Sequence, residues 1–467
     1  MNNFFKLKAN KTDFKTEVIA GITTFFTMAY IIFVNPAILS KAGMDFNSVM
    51  LATCISAGIG TLIMGLMANY PFAQAPGMGL NAFFTFSVVL TMGYTWQEGL
   101  AAVFISGIIF IILTFSGFRK TIVEAIPDTI RNAIPAGIGL FIAFIGLNNA
   151  GIVKVNQGPI LDIIYGAETL EKNQLANQVL NAPSQVLEFG NLGQPDILLA
   201  LIGFFILVIL MVLKVRAALL LGIILTVIAG IPLGVTQIPE AFTLDSFSIT
   251  PTFLQLDIPG LFKNGTGDHS LFDLVIAIIT IIISFTLVDL FDTMGTLMGT
   301  AAKGGFLDKE GKLPRIEKAL MADAFATTIG ALLGTSSVTT YIESGSGIVA
   351  GGKTGLTAVV VAVLFFLSIF LAPIAGIIPA AATSPALILV GVLMMGTLKN
   401  INFENLEEAV PAFMIIAIMP FSYSIANGIG AGLIFYTLIK MVKGEFKNIH
   451  PVVYGITSLF IIRFAMV

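Results

Sequence analysis

Apolar residues dominate long stretches of the chain, and short polar turns separate these stretches. A helix needs about 20 apolar residues to cross a bilayer. Fourteen segments fit this pattern, at 17–37, 48–68, 72–92, 97–117, 127–147, 196–213, 216–236, 272–298, 318–334, 336–352, 354–376, 379–397, 407–424 and 426–442. A last apolar piece at 451–466 contains Arg463, and the pattern leaves open an interfacial helix or a fifteenth span. The pattern predicts an all-α polytopic membrane protein.

The composition agrees with a membrane protein and excludes other classes. Of the 467 residues, 56% are hydrophobic and 11% are charged, whereas soluble proteins carry about 25% charged residues. Intrinsic disorder needs low hydrophobicity and high charge, so it is excluded too. The net charge of −3 gives no indication of nucleic-acid binding. The single cysteine, Cys54, excludes an internal disulfide, and we expect no metal site, no cofactor and no enzymatic activity.

Basic residues predict the orientation in the membrane. Four lysines precede the first segment: Lys6, Lys8, Lys11 and Lys15. By the positive-inside rule they place the N-terminus in the cytoplasm. With fourteen spans, every even-numbered segment ends on that side, and basic residues follow there: Arg119, Lys120, Lys214, Arg216, Lys303, Lys309, Lys312, Arg315, Lys318, Lys353, Lys399, Lys443 and Lys447. The long acidic loops 148–195 and 237–271 then lie outside, and we expect a multi-pass protein of the cell membrane.

A weak internal repeat divides the chain into two halves. GLAAV at 99–103 is matched by GLTAV at 355–359, and an Ile-Pro pair follows each, at 126–127 and 378–379. One repeat therefore contains seven spans, and an odd number of spans inverts the second copy in the membrane. Inverted repeats with broken helices at the midplane are typical of secondary transporters.

Two acids lie in the eighth apolar segment. Asp289 and Asp292 are three residues apart, so they share one face of a helix. An acid at the bilayer centre costs about 2.5–3.5 kcal/mol on insertion scales. Either both acids lie at the cytoplasmic end of the span and touch water, or they contact a substrate or an ion.

The tenth segment contains GTSSVTTYIESGSG at 334–347. Its Thr and Ser residues, Thr340 among them, favour an extended piece that runs into a half-helix. Glu343 lies where this half-helix would begin. It either caps the half-helix or faces a central cavity and accepts hydrogen bonds from a ligand.

The third segment is the corresponding break in the first half. FAQAPGMGLNAFF at 72–84 is interrupted by Pro and Gly and lacks the pattern of a phosphate-binding loop. Asn81 offers both a donor and an acceptor; it either ties two helices together or contacts a ligand. Phe83, Phe285 and Phe291 are near these sites, and each could stack on a flat ring.

Four motifs resemble those of the AzgA-like purine permeases, which share the nucleobase–ascorbate transporter fold. They are TTFFTMAYIIFVNP at 23–36, APGMGLNAFF at 75–84, LVDLFDTMGTL at 287–297 and TTYIESGSG at 339–347. The resemblance implies a seven-plus-seven inverted repeat with short antiparallel strands in the third and tenth segments. It implies a core domain of residues 1–118 and 272–376, and a gate domain of residues 119–271 and 377–467.

The resemblance also implies a function and a site. We expect a secondary active transporter that imports a purine nucleobase, guanine or hypoxanthine in preference to adenine. We expect proton symport and an elevator-type movement of core against gate, and a homodimer is compatible with the fold. The predicted substrate-binding residues are Asn81, Phe83, Asp289, Asp292, Thr340 and Glu343, and the predicted proton carriers are Asp289, Asp292 and Glu343. The alternatives are an anion carrier on the same fold, and a channel or membrane receptor.

Overall fold

The computed structural model describes residues 4–117, 125–155, 187–238, 248–263, 271–310, 312–371 and 377–466. Arg119, Lys120 and much of the two predicted outer loops lie outside these ranges. Each of the fourteen predicted segments coincides with helices or with a short strand followed by a helix. Eight helical stretches in the described ranges are long and apolar enough to cross a membrane. The predicted polytopic helical class is confirmed.

The first half of the chain contains α1 (Phe14–Met28), α2 (Ile31–Leu39), α3 (Phe46–Ile63), β1 (Gln74–Pro76), α4 (Met78–Ala82), α5 (Trp96–Phe115), α6 (Asp128–Asn149), β2 (Val153–Val155), β3 (Leu187–Phe189), α7 (Pro195–Val212), α8 (Ala218–Gly230) and α9 (Ile258–Leu261). Wider π-helical turns continue α3 over Met64–Ala68 and α4 over Phe83–Thr91.

The second half contains α10 (Leu271–Gly304), α11 (Ile316–Leu333), β4 (Val338–Thr340), α12 (Ser344–Val349), α13 (Gly355–Ser368), α14 (Ala380–Met394), α15 (Leu406–Phe421), α16 (Ile425–Val442) and α17 (Pro451–Met466).

Short polar side chains fix where several helices begin. Asp13 accepts a hydrogen bond from the backbone N–H of Thr16 at the start of α1 (3.0 Å), and Asp45 caps α3 in the same way. Thr95 and Glu98 form a reciprocal capping box at the start of α5. The first N–H groups of a helix have no partner within the helix. These caps therefore place the helix ends at the borders between polar turns and apolar segments.

The third and tenth segments are broken into a strand and a half-helix, as predicted. β1 pairs antiparallel with β4, and Gln74, Ala75 and Pro76 lie opposite Thr340, Thr339 and Val338. Half-helix α4 follows β1, and half-helix α12 follows β4. Because an antiparallel pair relates its strands by a local two-fold rotation, the pairing has the symmetry of inverted repeats.

The largest helix contacts fall into two groups. Helices α1–α5 pack with α10–α13, and α6–α8 pack with α14–α16. In the second group α6 and α14 approach closely, because a Cβ on Gly139 would lie 2.6 Å from the carbonyl oxygen of Gly391. Small residues permit such close packing in membranes. The predicted division into core and gate domains concerns relative motion and stays a prediction.

The apolar piece after the fourteenth segment forms helix α17, which runs antiparallel to α16. The hydroxyls of Thr437 and Thr457 are 3.1 Å apart, and the ring of Phe460 packs on Gly430. Near the C-terminal end of α17, Arg463 Nη2 lies 3.8 Å from Sδ of Met92, the last residue of the third segment. An interfacial helix would not pack lengthwise on α16, so this geometry favours a fifteenth crossing segment.

One pair of strands was not predicted from the sequence. β2 pairs antiparallel with β3, with Lys154 opposite Glu188. Both strands alternate apolar and charged residues, Val-Lys-Val and Leu-Glu-Phe. Three residues are too few to recognise as a strand pattern beside the long apolar segments.

Candidate substrate site

A cavity of about 220 Å³ lies where the broken tenth segment meets α10, α6 and α14. Its polar and charged lining residues are Tyr30, Asp292, Thr296, Thr339, Thr340, Tyr341, Glu343 and Thr397. Its larger apolar lining residues are Met78, Pro135, Phe291, Ile342, Val390, Leu393 and Met394. The cavity is therefore a mostly apolar slot that contains two carboxylates.

Glu343 lies in the cavity wall between β4 and α12. It occupies the position before the first residue of α12, but its side chain makes no capping hydrogen bond to that helix. Instead, Glu343 Oε1 accepts a hydrogen bond of 2.7 Å from the hydroxyl of Tyr30. The capping alternative for Glu343 therefore has no support in this geometry, whereas the side chain does reach the cavity.

Asp292 supplies the second carboxylate of the cavity, from helix α10. Its Oδ2 accepts a hydrogen bond of 3.4 Å from the hydroxyl of Thr339 in β4. Neither Asp292 nor Glu343 forms an ion pair with a Lys or Arg of the described ranges. Within the described ranges each carboxylate accepts this one side-chain hydrogen bond, so acceptor positions stay open for a ligand.

Asp289 lies one helical turn before Asp292 but is enclosed by protein. It is fully buried, and its Oδ2 accepts hydrogen bonds from Ser337 (3.2 Å) and Thr327 (3.3 Å). Asp289 does not line the cavity. The structure thus separates two acids that the sequence placed together, and a substrate contact of Asp289 stays a prediction.

Asp323 is a buried acid that the sequence analysis did not identify. It accepts hydrogen bonds from Thr293 (2.8 Å) and from the amide of Gln74 (3.4 Å). The hydroxyl of Thr293 also lies 3.4 Å from Asp289, so it joins the two enclosed acids. Asp323 lies within the apolar segment 318–334. Because an acid in such a segment is energetically costly, its position in the sequence could have identified it as a functional or structural residue.

Asn81 and Phe83 lie behind the cavity rather than in its lining. Asn81 is fully buried and its Oδ1 accepts a hydrogen bond from Ser336, which ties α4 to the loop before β4. Its amide nitrogen has no hydrogen-bond partner within the described residues. The ring of Phe83 packs edge-on against Phe285, with centroids 4.7 Å apart. Of the three candidate rings, only Phe291 lines the cavity.

Tyr30 is a cavity residue that sequence reasoning missed. It lies at the break between α1 and α2 and is 1% exposed. A buried tyrosine hydroxyl usually finds a hydrogen-bond partner, and here that partner is Glu343, 313 residues away. A tyrosine in an apolar segment gives no signal that would distinguish it from a residue of the core. Thr340, which was predicted, does line the cavity.

The site offers hydrogen-bond acceptors in an apolar slot. In the ranges that the structure describes, no three His, Cys, Asp or Glu side chains form a metal-binding arrangement. Among the described residues, the cavity lining contains no Lys, Arg or His. Such a slot fits a small, neutral molecule that carries N–H donors on its edge.

Comparison with known proteins identifies the family. The family model Xan_ur_permease, described as Permease family, matches residues 15–171 and 173–431. The chain belongs to this permease family. The resemblance inferred from the motifs is confirmed, and the protein is a membrane transporter rather than an enzyme.

Curated relatives match the chain along its whole length. The guanine/hypoxanthine permease PbuO of Bacillus subtilis is 43% identical over 463 residues, which is 98% of this chain and 99% of that protein. The adenine permease AdeP of Escherichia coli is 41% identical over 467 residues, which is 100% of this chain and 96% of that protein.

A solved structure supports the fold. The transmembrane domain of a cyanobacterium bicarbonate transporter, BicA, superposes with a TM-score of 0.62 and covers 88% of this chain and 97% of that one. The sequences are 16% identical, so the similarity concerns the fold alone. The predicted transporter fold, with its two short strands in the third and tenth segments, is confirmed.

Proposed function

We propose that this permease is a secondary active transporter that imports a purine nucleobase. The observation that carries the proposal is the mostly apolar cavity with two carboxylates, Asp292 and Glu343, that form no ion pair with the described lysines and arginines. Two full-length relatives support it, since one is named a guanine/hypoxanthine permease and the other an adenine permease. Guanine and hypoxanthine are the favoured substrates, and adenine is the alternative within the same class.

The chemistry of a purine suits the cavity. A purine is flat and largely apolar on its faces, and it carries ring and exocyclic N–H groups on its edge. Asp292 and Glu343 would accept hydrogen bonds from these groups, and Phe291 and Met78 would contact the faces. A site that relies on paired hydrogen bonds discriminates strongly against analogues that lack the matching groups.

The main alternative is an anion carrier, because the same fold occurs in a bicarbonate transporter. An anion needs a positively charged or donor-rich site. The cavity has two carboxylates and, in the described part of the chain, no lysine, arginine or histidine. Coulomb repulsion in a low-dielectric site would disfavour a negatively charged substrate there.

Proton symport is the proposed source of energy. Two like charges in one membrane-embedded cavity repel each other, and a bound proton removes that repulsion. Asp292 and Glu343 are the cavity-facing proton carriers in this proposal, and Asp289 is a further candidate behind the wall. A proton that binds together with the substrate on one side and leaves on the other side couples the two fluxes.

The proposed movement is an elevator shift of α1–α5 and α10–α13, the core, against α6–α8 and α14–α16, the gate. If the N-terminus is cytoplasmic, the cavity reaches toward the cytoplasm, because Thr296 and Thr397 lie near the inner ends of their segments. On the outer side, Ser87 of the core donates a hydrogen bond of 2.9 Å to the carbonyl of Tyr423 in the gate. A contact between core and gate on the outer side and a cavity that extends inward are what this proposal expects of an inward-facing state.

Purine uptake into proteoliposomes tests the proposal. We expect labelled hypoxanthine to accumulate when the exterior is more acidic than the interior, and an uncoupler to abolish the accumulation. Unlabelled guanine should compete, adenine more weakly, and uracil and bicarbonate not at all. Saturable uptake of bicarbonate without purine uptake would refute the purine proposal, and purine accumulation that needs sodium but ignores the uncoupler would refute proton coupling.

A further inference from the structure

The chain before the first helix is folded onto the helices of the core. Phe5 and Leu7 are 5% and 2% exposed and pack against Leu356 and Val359 of α13. The side-chain amide of Asn69, which follows α3, donates a hydrogen bond of 3.3 Å to the carbonyl of Phe5. Residues 4–12 are therefore attached at fixed points to α3 and α13.

The lysines of this segment face outward. Lys6, Lys8, Lys11 and Lys15 are all exposed, and Lys6 and Lys8 alternate with the buried Phe5 and Leu7. Two hydrogen bonds close a compact turn, from Asn10 N–H to the carbonyl of Lys6 and from Thr12 N–H to that of Leu7, both 3.1 Å. The turn presents four ammonium groups within ten residues of chain.

The two acids next to these lysines in the sequence, Asp13 and Glu17, accept hydrogen bonds from other side chains. Asp13 accepts hydrogen bonds from the backbone and hydroxyl of Thr16. Glu17 is fully buried and accepts hydrogen bonds from the hydroxyl of Thr357 (2.6 Å) and the backbone N–H of Lys353 (3.0 Å). Among the residues that the structure describes, no acid forms an ion pair with Lys6, Lys8, Lys11 or Lys15.

The four lysines lie where a lipid-facing helix begins. Exposed apolar side chains follow along α1, at Phe14 (51%), Ile19 (46%) and Phe26 (47%). Phe4, beside the lysines, is 59% exposed as well. Such apolar exposure is expected toward acyl chains, and long lysine side chains extend from that depth to the headgroups. Basic clusters next to a spanning helix attract anionic lipids.

We propose that this lysine turn, residues 4–15, binds the headgroups of anionic phospholipids in the leaflet on the N-terminal side. The apolar pair Phe5 and Leu7 holds the turn on the protein, and the four ammonium groups contact lipid phosphates. The turn is fixed to α3 and α13, so the bound lipids lie beside the end of the core at which α1 begins. The binding does not depend on the proposed substrate, and it is tested without transport.

Spin-labelled lipids test the proposal on the full-length protein in phosphatidylcholine vesicles. We expect spin-labelled phosphatidylglycerol to be enriched at the protein surface over spin-labelled phosphatidylcholine. Changing Lys6, Lys8, Lys11 and Lys15 together to Gln should remove most of this preference. Changing the same four residues to Arg should retain it. All four side chains are exposed, so both variants should fold, which size-exclusion chromatography and thermal unfolding would verify.

A second set of four lysines provides a matched control. Lys303, Lys309, Lys312 and Lys318 are also exposed and lie on the same predicted side, but Lys312 forms an ion pair with Glu310 at 2.6 Å, whereas the N-terminal lysines form none within the described ranges. Their change to Gln removes the same charge and should leave the preference nearly unchanged. The proposal is overturned if the N-terminal variant keeps the preference or if the control loses as much. It is also overturned if free inorganic phosphate at equal ionic strength displaces the labelled lipid, which would indicate a phosphate site.

Discussion

The core contains two pairs of carboxylates in different surroundings. Asp292 and Glu343 face the cavity, and each accepts one side-chain hydrogen bond from the protein, from Thr339 and Tyr30. Asp289 and Asp323 are fully buried behind the cavity wall, and threonine and serine hydroxyls surround them. Asp289 and Asp292 are one turn apart on the same helix. The wall formed by β4 therefore divides acids that could bind a ligand from acids that hold the broken segment in place.

The largest expected effect comes from the cavity pair. Changing Glu343 to Gln keeps the shape and the acceptor for Tyr30 but replaces one oxygen by an N–H₂ group. That group would face the N–H donors of a purine, so a charge-assisted hydrogen bond is lost and a donor is left unpaired. We expect purine affinity to fall about a hundredfold, or ~3 kcal/mol. Equilibrium binding of labelled hypoxanthine measures the effect.

A matched control for that variant is Glu17 to Gln. Glu17 is a buried glutamate of the same core, but it caps α13 and lies away from the cavity. We expect this variant to lose thermal stability and to keep its purine affinity once folded. Equal loss of affinity in the two variants would contradict the assignment of Glu343 to the site.

The next effect concerns the enclosed pair. Changing Asp323 to Ala removes the acceptor for the hydroxyl of Thr293 and the amide of Gln74. The hydroxyl of Thr293 and the amide of Gln74 each keep a second contact, to Asp289 (3.4 Å) and to Thr340 (3.3 Å). Loss of the charged acceptor of buried donors still costs ~1–3 kcal/mol, so we expect a clear fall in the midpoint of thermal unfolding. Asp292 to Ala, at the water-accessible cavity, should cost less stability and more affinity. If Asp292 to Ala destabilises the protein more than Asp323 to Ala does, the assignment of Asp323 to structure and of Asp292 to binding is wrong.

The sequence made part of this comparison predictable. Acids are costly in apolar segments, and this cost identified Asp289, Asp292 and Glu343 as residues that need an explanation. It could not separate Asp289 from Asp292, because their spacing places both on one helix face and the wall between them comes from β4. Tyr30 gave no signal, since its partner Glu343 is 313 residues away in the chain. The pairing of β1 with β4 came from family resemblance, because three-residue strands have no recognisable period.

A smaller effect is expected for Tyr30, which positions Glu343. Changing Tyr30 to Phe keeps the ring and removes the single hydroxyl that donates to Glu343 Oε1. Without this hydrogen bond the carboxylate of Glu343 is held less firmly in one orientation. We therefore expect purine affinity to fall about fivefold, or ~1 kcal/mol. A Michaelis constant that rises while the maximal rate stays nearly constant would fit this role. A variant with unchanged affinity would show that Tyr30 does not position Glu343.

The smallest expected effect concerns Glu445, which forms an ion pair with Lys440, unlike the cavity acids Asp292 and Glu343 within the described residues. Hydrogen bonds from Lys440 Nζ, at 2.6 Å, and from Asn448 lower the pKa of Glu445 to about 2. Because this pKa lies below the value of about 4.3 in an unfolded chain, the ionised form stabilises the folded state. That contribution is fully present above pH ~4.3 and is lost as the pH falls toward 2.

Glu445 to Gln should therefore lower the thermal midpoint slightly at neutral pH. The difference from the unmodified protein should shrink as the pH falls below about 4. Surface ion pairs contribute little and are screened by salt, so the difference should also shrink at high ionic strength. A constant difference over the whole pH range would mean that packing rather than charge holds the loop. Glu445 would then no longer illustrate a carboxylate that is stabilised by a neighbouring lysine. Asp292 and Glu343 differ from such a carboxylate because neither has a lysine or arginine partner within the described ranges.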